Sequence, residues 1–324
     1  MATRPERPRL VADIGGTYTR LALLPEAGVP DHVVEYENRA FAGLAELLDA
    51  YFDGQDPDRL PGSAAFAVAS PVQGDRVRMT NNGWEFSIQE YRRRFGFDAL
   101  HVLNDFVAVA LAIPELAAGD YLGIGGGEVM PDRAIGVLGP GTGLGVSALV
   151  PFQKTWIPVA GEGGHVTLAP ATDEEGRIIE LIRRRIGHVS AERLLSGPGL
   201  SLLHQVLVRE RGGPAVEVEP AEIARLAVME GDVPAGRTLD IFFAMLGTVA
   251  GNLALTLGAG GGIYLAGGIL PQLAGPLARS NFRERFMAKG RYRDYLARIP
   301  TRLITRKHTA LAGLAGYLNT VPDR

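Results

Sequence analysis

Two glycine-rich segments contain the residue types of phosphate-binding turns. Residues 13–17, Asp-Ile-Gly-Gly-Thr, place a carboxylate at the end of an apolar run, followed by two glycines and a hydroxyl. Backbone N–H groups in such a turn can bind phosphate oxygens while the carboxylate holds a hydrated Mg²⁺. An ordinary glycine hairpin fits the same residues. Residues 139–145 hold four glycines and Thr142 between two apolar runs, and this excess over an ordinary hairpin favours an anion-binding turn.

Two carboxylates stand where each could act on a hydroxyl group. Asp105 follows a short apolar strand at the head of a predicted helix. An Asp at that place most often caps the helix, and it could also be a general base that accepts the proton of a substrate hydroxyl. Glu192 lies in the first turn of another predicted helix, either as a solvated acid or as a hydrogen-bond acceptor for a ligand hydroxyl.

Two further segments combine glycines with groups suited to a small polar ligand. Glu162 and His165 stand among three glycines. The acid can accept a hydrogen bond and the imidazole can donate one, which suits a hydroxylated ligand. A metal ion is a poorer fit, because no further metal ligands are obvious nearby in the sequence. Gly267 and Gly268 follow an apolar strand. A flat ring could lie against this backbone, and close packing of a helix on the strand explains the glycines equally well.

The composition excludes several classes of protein. The 324 residues include 42 glycines and no cysteine, so disulfide scaffolds, cysteine-ligated zinc and cysteine nucleophiles are excluded. With 33 basic and 36 acidic residues the chain lacks the basic excess of a nucleic-acid binder. No lysine follows a glycine and no Gly-x-Gly-x-x-Gly occurs, which excludes the P-loop and Rossmann motifs. The charged, proline-interrupted start and the short apolar runs predict a cytoplasmic protein without a membrane span.

The candidate residues are positioned by alternating strands and helices. A strand–glycine turn–strand unit is predicted twice, at residues 9–24 and 134–150, which indicates two related α/β lobes with a cleft between them. Residues 173–258 are predicted to be mainly helical, with breaks at 197–199 and near 212–214. The other predicted strands are 32–37, 64–69, 101–104, 263–266 and 302–305, and the other helices are 41–52, 87–95, 106–113 and 309–318.

Taken in order, these segments resemble the bacterial glucokinase family of the non-ROK, enterobacterial type. The resemblance runs from residue 10 to about residue 300, and eight ordered segments are far more specific than any single glycine turn. The matching segments are Val11–Thr17, Thr80–Ile88, Leu103–Phe106, Gly139–Gly145, Gly161–Val166, Ile186–Leu200, Gly251–Leu255 and Ala266–Ile269.

The resemblance implies a two-domain actin-like (ribonuclease-H-like) ATPase fold and transfer of the γ-phosphoryl group of ATP, with Mg²⁺, to O6 of glucose. It also implies a homodimer, a small domain at residues 1–115 with the 306–324 helix packed on it, and a large domain at 116–305. Asp105 becomes the catalytic base, and the implied sugar ligands are Asn104, Asp105, Glu162, His165 and Glu192. The implied nucleotide contacts are Ala12, Asp13 (also near Mg²⁺, through water), Ile14, Gly15, Gly16, Thr17, Gly141, Thr142, Gly143, Gly267 and Gly268.

The chain departs from the family pattern at two places. Tyr18-Thr19 stand where the family usually has Asn-Ala, a departure that concerns the details of the first phosphate turn and not its existence. Residues 308–310 replace the family's Asn-Pro-Gly, so no function is transferred to these three residues. The absence of cysteine argues against the ROK sugar kinases, which usually carry a cysteine-rich zinc motif. A kinase of the same fold for another hexose, a non-catalytic sugar sensor and a general actin-like ATPase stay as alternatives.

Overall fold

The computed structural model describes residues 7–24, 30–53, 60–214 and 216–321. The chain divides into two compact units, each with its own sheet and hydrophobic core. The first unit runs to Leu116 and resumes at Lys307, and the second spans Ala117–Arg306. The sequence places the domain boundaries at residues 115 and 305, one residue from those of this division.

Strands and helices alternate along most of the described chain. The strands are β1 (Arg9–Ile14), β2 (Tyr18–Leu24), β3 (Asp31–Glu37), β4 (Ser63–Val68), β5 (Arg76–Arg78), β6 (Glu85–Ser87), β7 (Ala99–Asn104), β8 (Tyr121–Gly125), β9 (Ile135–Pro140), β10 (Leu144–Phe152), β11 (Thr155–Gly161), β12 (Ile263–Leu265) and β13 (Thr301–Ile304). The helices are α1 (Leu44–Phe52), α2 (Ile88–Arg94), α3 (Asp105–Ala112), α4 (Asp173–Ile186), α5 (Ala191–Leu194), α6 (Gly197–Glu210), α7 (Pro220–Arg225), α8 (Val233–Leu257), α9 (Ala274–Arg279), α10 (Phe282–Met287), α11 (Arg293–Arg298) and α12 (Thr309–Thr320). Short 3₁₀ turns, among them Gly163–His165, join several of these elements.

The first unit is built on a five-stranded sheet in the order β3-β2-β1-β4-β7. β1, β2 and β3 are antiparallel neighbours, whereas β4 and β7 run parallel to β1. Every residue of β4 is buried, because helices cover both faces of the sheet. The leucines of α1 pack on one face, and α3 and α12 pack on the other. The contact between α3 and α12 requires Gly313, where a Cβ would overlap the carbonyl oxygen of Ala108.

The second unit repeats this strand order as β11-β10-β9-β12-β13 and adds β8 at the edge. β9, β10 and β11 are antiparallel neighbours, and β12 and β13 run parallel to β9. The number, order and direction of the five strands therefore match those of the first unit. The prediction that one strand–turn–strand unit occurs twice is confirmed.

Helix α8 forms the centre of the second unit's core. Its Phe242 and Phe243 are buried in one hydrophobic cluster with Phe282 and Phe286 of α10. By length and composition its 25 residues could cross a membrane, but 78% of the most apolar 18-residue window is buried inside the protein. That degree of burial is typical of a core helix.

The other predicted strands, and the four helices predicted outside residues 173–258, begin and end within three residues of the observed elements. Three features of the structure differ from expectation. The predicted break at residues 197–199 instead opens α6, because the Ser196 hydroxyl accepts the Gly199 N–H and Pro198 is tolerated in the first helical turn. The turn predicted at 139–145 is narrower, since β9 extends to Pro140 and β10 begins at Leu144. Strands β5, β6, β8 and β11 and helices α9–α11 were not predicted, since they are short or exposed and give weak periodicity.

Candidate functional site

The turn between β1 and β2 has two backbone amides that a ligand could use. The Gly15 N–H donates to the Tyr18 carbonyl oxygen at 3.0 Å and closes the hairpin. Within the described part of the chain, the N–H groups of Gly16 and Thr17 donate to no other protein atom. A Cβ at Gly16 would overlap the side chain of Asn81, so the glycine lets the turn lie against that segment. The two remaining amides are the kind of donors that bind phosphate oxygens.

Asn38, which sequence reasoning missed, holds this turn in shape. Its Nδ2 donates to the carbonyl oxygens of Gly15 at 2.8 Å and Gly16 at 3.1 Å, and its N–H donates to that of Thr17 at 2.9 Å. Its Oδ1 accepts from the Thr19 hydroxyl at 2.8 Å. Both side chains are buried. The threonine that departs from the family's usual Asn-Ala therefore adds a bond to this network, and no local sequence signal pointed to Asn38.

The Asp13 carboxyl group lies at the end of β1, 21% exposed and 3.8 Å from the Arg20 guanidinium. Burial raises the pKa of this carboxyl, and Arg20 acts in the opposite direction by favouring the charged form. No group of three or more metal-binding side chains occurs among the described residues. Protein Mg²⁺ is commonly held by one or two carboxylates with phosphate oxygens and water. Asp13, an oxygen donor beside the first turn, fits that type of site.

Asp105 is not the cap of its helix. The N-cap of α3 is Asn104, whose Oδ1 accepts from the N–H groups of Phe106 at 3.0 Å and Val107 at 3.3 Å. The interpretation of Asp105 as an ordinary N-cap is therefore wrong. Asp105 occupies the first helical position, and its Oδ1 accepts the Phe106 N–H at 2.8 Å.

The register of the first sheet brings the Asp13–Thr17 segment and Asp105 to one edge. Ile14 pairs with Val68, and Val68 pairs with Asn104 on the next parallel strand. Chain segments that follow the carboxyl ends of neighbouring parallel strands lie side by side, which is where ligands bind in α/β sheets. A phosphate-type turn and a carboxylate at the head of a helix thus share the carboxyl edge of this sheet.

The second glycine turn is only partly available to a ligand. The Gly141 N–H donates to the Gly143 carbonyl oxygen at 2.8 Å, and the Gly141 carbonyl oxygen accepts the Gly197 N–H at the start of α6, also at 2.8 Å. In the described chain, the N–H groups of Thr142 and Gly143 donate to no other protein atom. Thr142 is exposed. The amides of these two residues are the donors left at this turn for an anion.

Glu192, in α5, reaches back to the same turn. Its Oε2 accepts the Leu144 N–H at 2.9 Å, a bond between residues 48 positions apart. A Cβ at Gly143 would overlap this oxygen. The side chain is 32% exposed, so Glu192 is not a freely solvated first-turn acid.

Glu162, His165 and Glu192 form a cluster of polar side chains in the second unit. The His165 Nδ1 lies 3.8 Å from Glu192 Oε1, and its Nε2 lies 3.9 Å from Glu162 Oε2. Both distances exceed hydrogen-bond length. The His165 and Glu162 side chains are 59% and 53% exposed, so a ligand hydroxyl can reach all three groups.

The glycines at the ends of β9 and β12 face one another. A Cβ at Gly139 would overlap the Ala266 carbonyl oxygen, and one at Gly267 would overlap that of Pro140. Gly267 also has a φ of +89°, which favours glycine. At these two positions close packing explains the glycine. Gly268 has no neighbour within 4 Å of a Cβ position, so the space beside it is open.

The repeated five-strand sheet is that of the actin-like ATPases, and the likeness to known proteins identifies a sugar kinase of this fold. The glucokinase family model matches residues 10–321, and the chain belongs to the glucokinase family. A glucokinase of Paramagnetospirillum magneticum is 48% identical over 95% of this chain and 97% of its own length. A glucokinase crystal structure from an Antarctic psychrotroph superposes with a TM-score of 0.86 at 36% identity, covering 98% of this chain and all of that one.

Some relatives are about twice as long as this chain. The bifunctional protein glk of Paraburkholderia xenovorans is 45% identical over 96% of this chain, which spans 49% of that protein.

The predicted family, fold and enzyme class are confirmed by these similarities.

Proposed function

We propose that this protein transfers the γ-phosphoryl group of ATP to O6 of D-glucose, giving glucose 6-phosphate and ADP. The observation that carries this reaction is the shared carboxyl edge of the first sheet. There the turn after β1, with two amides that bind no other described residue, and the Asp105 segment after β7 lie on either side of β4. Phosphoryl transfer needs phosphate positioning, charge neutralisation and a group that receives the proton of the acceptor hydroxyl.

Asp105 is the general base. As the O6–phosphorus bond forms, the bond between the γ-phosphorus and the oxygen bridging to the β-phosphate breaks, and the O6 proton passes to the Asp105 carboxylate. Because Asn104 already caps α3, the carboxylate of Asp105 is not needed for that purpose.

The remaining sugar contacts come from Asn104 and from the cluster of Glu162, His165 and Glu192. The Oδ1 of Asn104 is used by the helix cap, and among the described residues its Nδ2 makes only a long 3.5 Å bond to the Ser70 carbonyl oxygen. This Nδ2 is therefore the atom that donates to a sugar hydroxyl. The carboxylates accept from sugar hydroxyls, and the imidazole can donate.

The nucleotide is held by the two glycine turns. The amides of Gly16, Thr17, Thr142 and Gly143 donate to phosphate oxygens, and the open backbone at Gly268 receives the flat base. The rest of Ala12–Thr17, together with Gly141 and Gly267, shapes these contacts. Asp13 would hold Mg²⁺ through water, and the ion would supply positive charge that neutralises the phosphates.

A panel of hexoses assayed by coupled ADP detection tests this function. Glucose, mannose, fructose and an amino sugar are compared by kcat/KM, with ATP, ADP and polyphosphate as donors. Glucose with ATP is expected to give the highest kcat/KM. A higher value for another hexose would make the protein a kinase of that sugar, and ATP consumption independent of any sugar would identify a general ATPase.

The protein is also proposed to be a cytoplasmic homodimer. Family resemblance supports the dimer, and the absence of cysteine is compatible with a reducing compartment. Light scattering coupled to size-exclusion chromatography should give twice the 34.6 kDa chain mass. A mass equal to one chain at micromolar concentration would contradict the dimer.

A further inference from the structure

Gly143 is the point where the second glycine turn meets Glu192. The space that a Cβ would fill is occupied by Oε2 of Glu192, and the Leu144 N–H donates to that same oxygen at 2.9 Å. The backbone of Gly143 does not have a positive φ, so alanine can adopt its conformation. Glycine is therefore needed here for space and not for conformation.

We propose that Gly143 is a positioning residue for the sugar. Its missing side chain lets one oxygen of Glu192 bind the Leu144 N–H, and this bond fixes the direction of the other oxygen. That second oxygen, Oε1, faces His165 at 3.8 Å and is the one available to a sugar hydroxyl. The inference deepens the proposed function, because it rests on Glu192 being a sugar ligand, and it gives a residue of the nucleotide turn a second role.

A methyl group at residue 143 should displace the Glu192 carboxylate without unfolding the turn. The displaced atom is the end of a flexible side chain and not backbone. The sugar then loses a hydrogen bond to a charged group, which corresponds to roughly 10-fold to 100-fold weaker glucose binding. Binding of the nucleotide should change much less, because the amides of the turn stay in place.

A double-mutant cycle tests this inference. Glucose affinity is measured by titration calorimetry for the wild type, Gly143→Ala, Glu192→Ala and the double variant, with a non-hydrolysable ATP analogue as the second ligand. If Gly143 acts through Glu192, the alanine weakens glucose binding in the wild-type background and changes it by less than about twofold once Glu192 is truncated. Equal effects in both backgrounds, or no effect in either, would overturn the inference.

Gly236→Ala, in α8 and outside the proposed site, is the control for the added methyl group. A Cβ at Gly236 has no neighbour within 4 Å, so glucose affinity should stay within about twofold of wild type. A comparable loss of glucose affinity in this control would contradict the role assigned to the Gly143 space. Absence of glucose binding by the wild type would refute the proposed function itself, whereas normal binding with an uncoupled cycle would refute only this inference.

Discussion

At the scale of single residues, two candidate side chains have hydrogen-bond partners that limit their chemistry. The Oδ1 of Asn104 is used to cap α3, and one oxygen of Glu192 is used by the Leu144 N–H. A hydrogen bond leaves the other polar atoms of a side chain for a ligand. These partners therefore decide which atom of each residue can face a substrate.

Replacing Asp105 with asparagine should abolish turnover and retain glucose binding. The amide oxygen can still accept the Phe106 N–H, and Asn104 still caps the helix, so the fold is preserved. Loss of a general base costs about 10²-fold to 10⁴-fold in kcat. Steady-state kinetics and glucose calorimetry measure the two effects. A kcat near that of the wild type would exclude Asp105 as the base.

Replacing Asp13 with asparagine should stabilise the protein at neutral pH while weakening its use of Mg²⁺ and ATP. Burial raises the pKa of the Asp13 carboxyl above its value in the unfolded chain, so ionising the group costs folding free energy. This cost is absent at low pH and develops as the pH rises through the native pKa. Arg20 should keep an ion-pair partner in the variant, because its guanidinium already lies 2.6 Å from the Glu35 carboxylate in the wild type.

The measurement is the melting temperature of both proteins between pH 4 and pH 8. The advantage of the asparagine variant should grow with pH and then level off. A difference independent of pH, or a variant less stable at pH 8, would contradict a destabilising ionised Asp13.

At the scale of elements, the glycine clusters separate into those that pack and those that leave amides for a ligand. Gly126 and Gly261 lie against backbone carbonyl oxygens of other segments, so close packing explains the glycine at both positions. Gly164 likewise lies against the carbonyl oxygen of Leu144. The amides of Gly16 and Gly143 donate to no other described residue. The glycine excess thus reflects close backbone packing as much as ligand binding.

Replacing Asn38 with alanine should loosen the first turn. The variant removes three side-chain hydrogen bonds and leaves the carbonyl oxygens of Gly15 and Gly16 without their donor. We expect a loss of about 1–3 kcal/mol in stability and a KM for ATP raised roughly 10-fold, with a much smaller change in glucose affinity.

Thr19 supplies the matched comparison for Asn38. Thr19→Ser keeps the hydroxyl that donates to Asn38 and should behave like the wild type, whereas Thr19→Val removes only that bond and should be intermediate. If Asn38→Ala loses stability as expected but keeps the wild-type KM for ATP, the role of Asn38 is purely structural and its proposed effect on nucleotide binding is wrong.

At the scale of the whole molecule, the chain contains the same five-strand order twice. The second unit adds a larger helical core centred on α8, and a buried ion pair joins its helices. Glu175 of α4 accepts from Arg285 of α10 at 2.7 and 3.0 Å, and Arg285 also donates to Thr248 of α8 at 2.9 Å. The two charged side chains are 3% and 15% exposed.

Replacing Glu175 with alanine should destabilise the second unit strongly. Removing one partner of a buried pair leaves an uncompensated charge, at a cost of about 3–5 kcal/mol. For a unit of this size that corresponds to a fall in melting temperature on the order of 10 °C. Differential scanning calorimetry measures the shift. Glu180→Ala, which removes two surface ion pairs, with Arg183 and Arg184, is the control with little expected change. A similarly small shift in melting temperature for both variants would contradict the large contribution to stability that is expected of the buried pair.

The sequence alone determined most of the strands and helices, the two glycine turns and the types of the candidate site residues, because strand periodicity, turn residues and helix starts are local properties of the chain. It also determined the family, through ordered segments spread along most of the chain. Asn38, Thr19 and the narrowing of the second turn were missed, because their roles depend on bonds across 19 to 23 positions or on strand pairing. Only the tertiary structure decided which amides are free, that Asn104 and not Asp105 caps α3, and that Gly143 makes room for Glu192. These outcomes arise when segments distant in sequence compete for the same donor, acceptor or volume, and no local pattern records that competition.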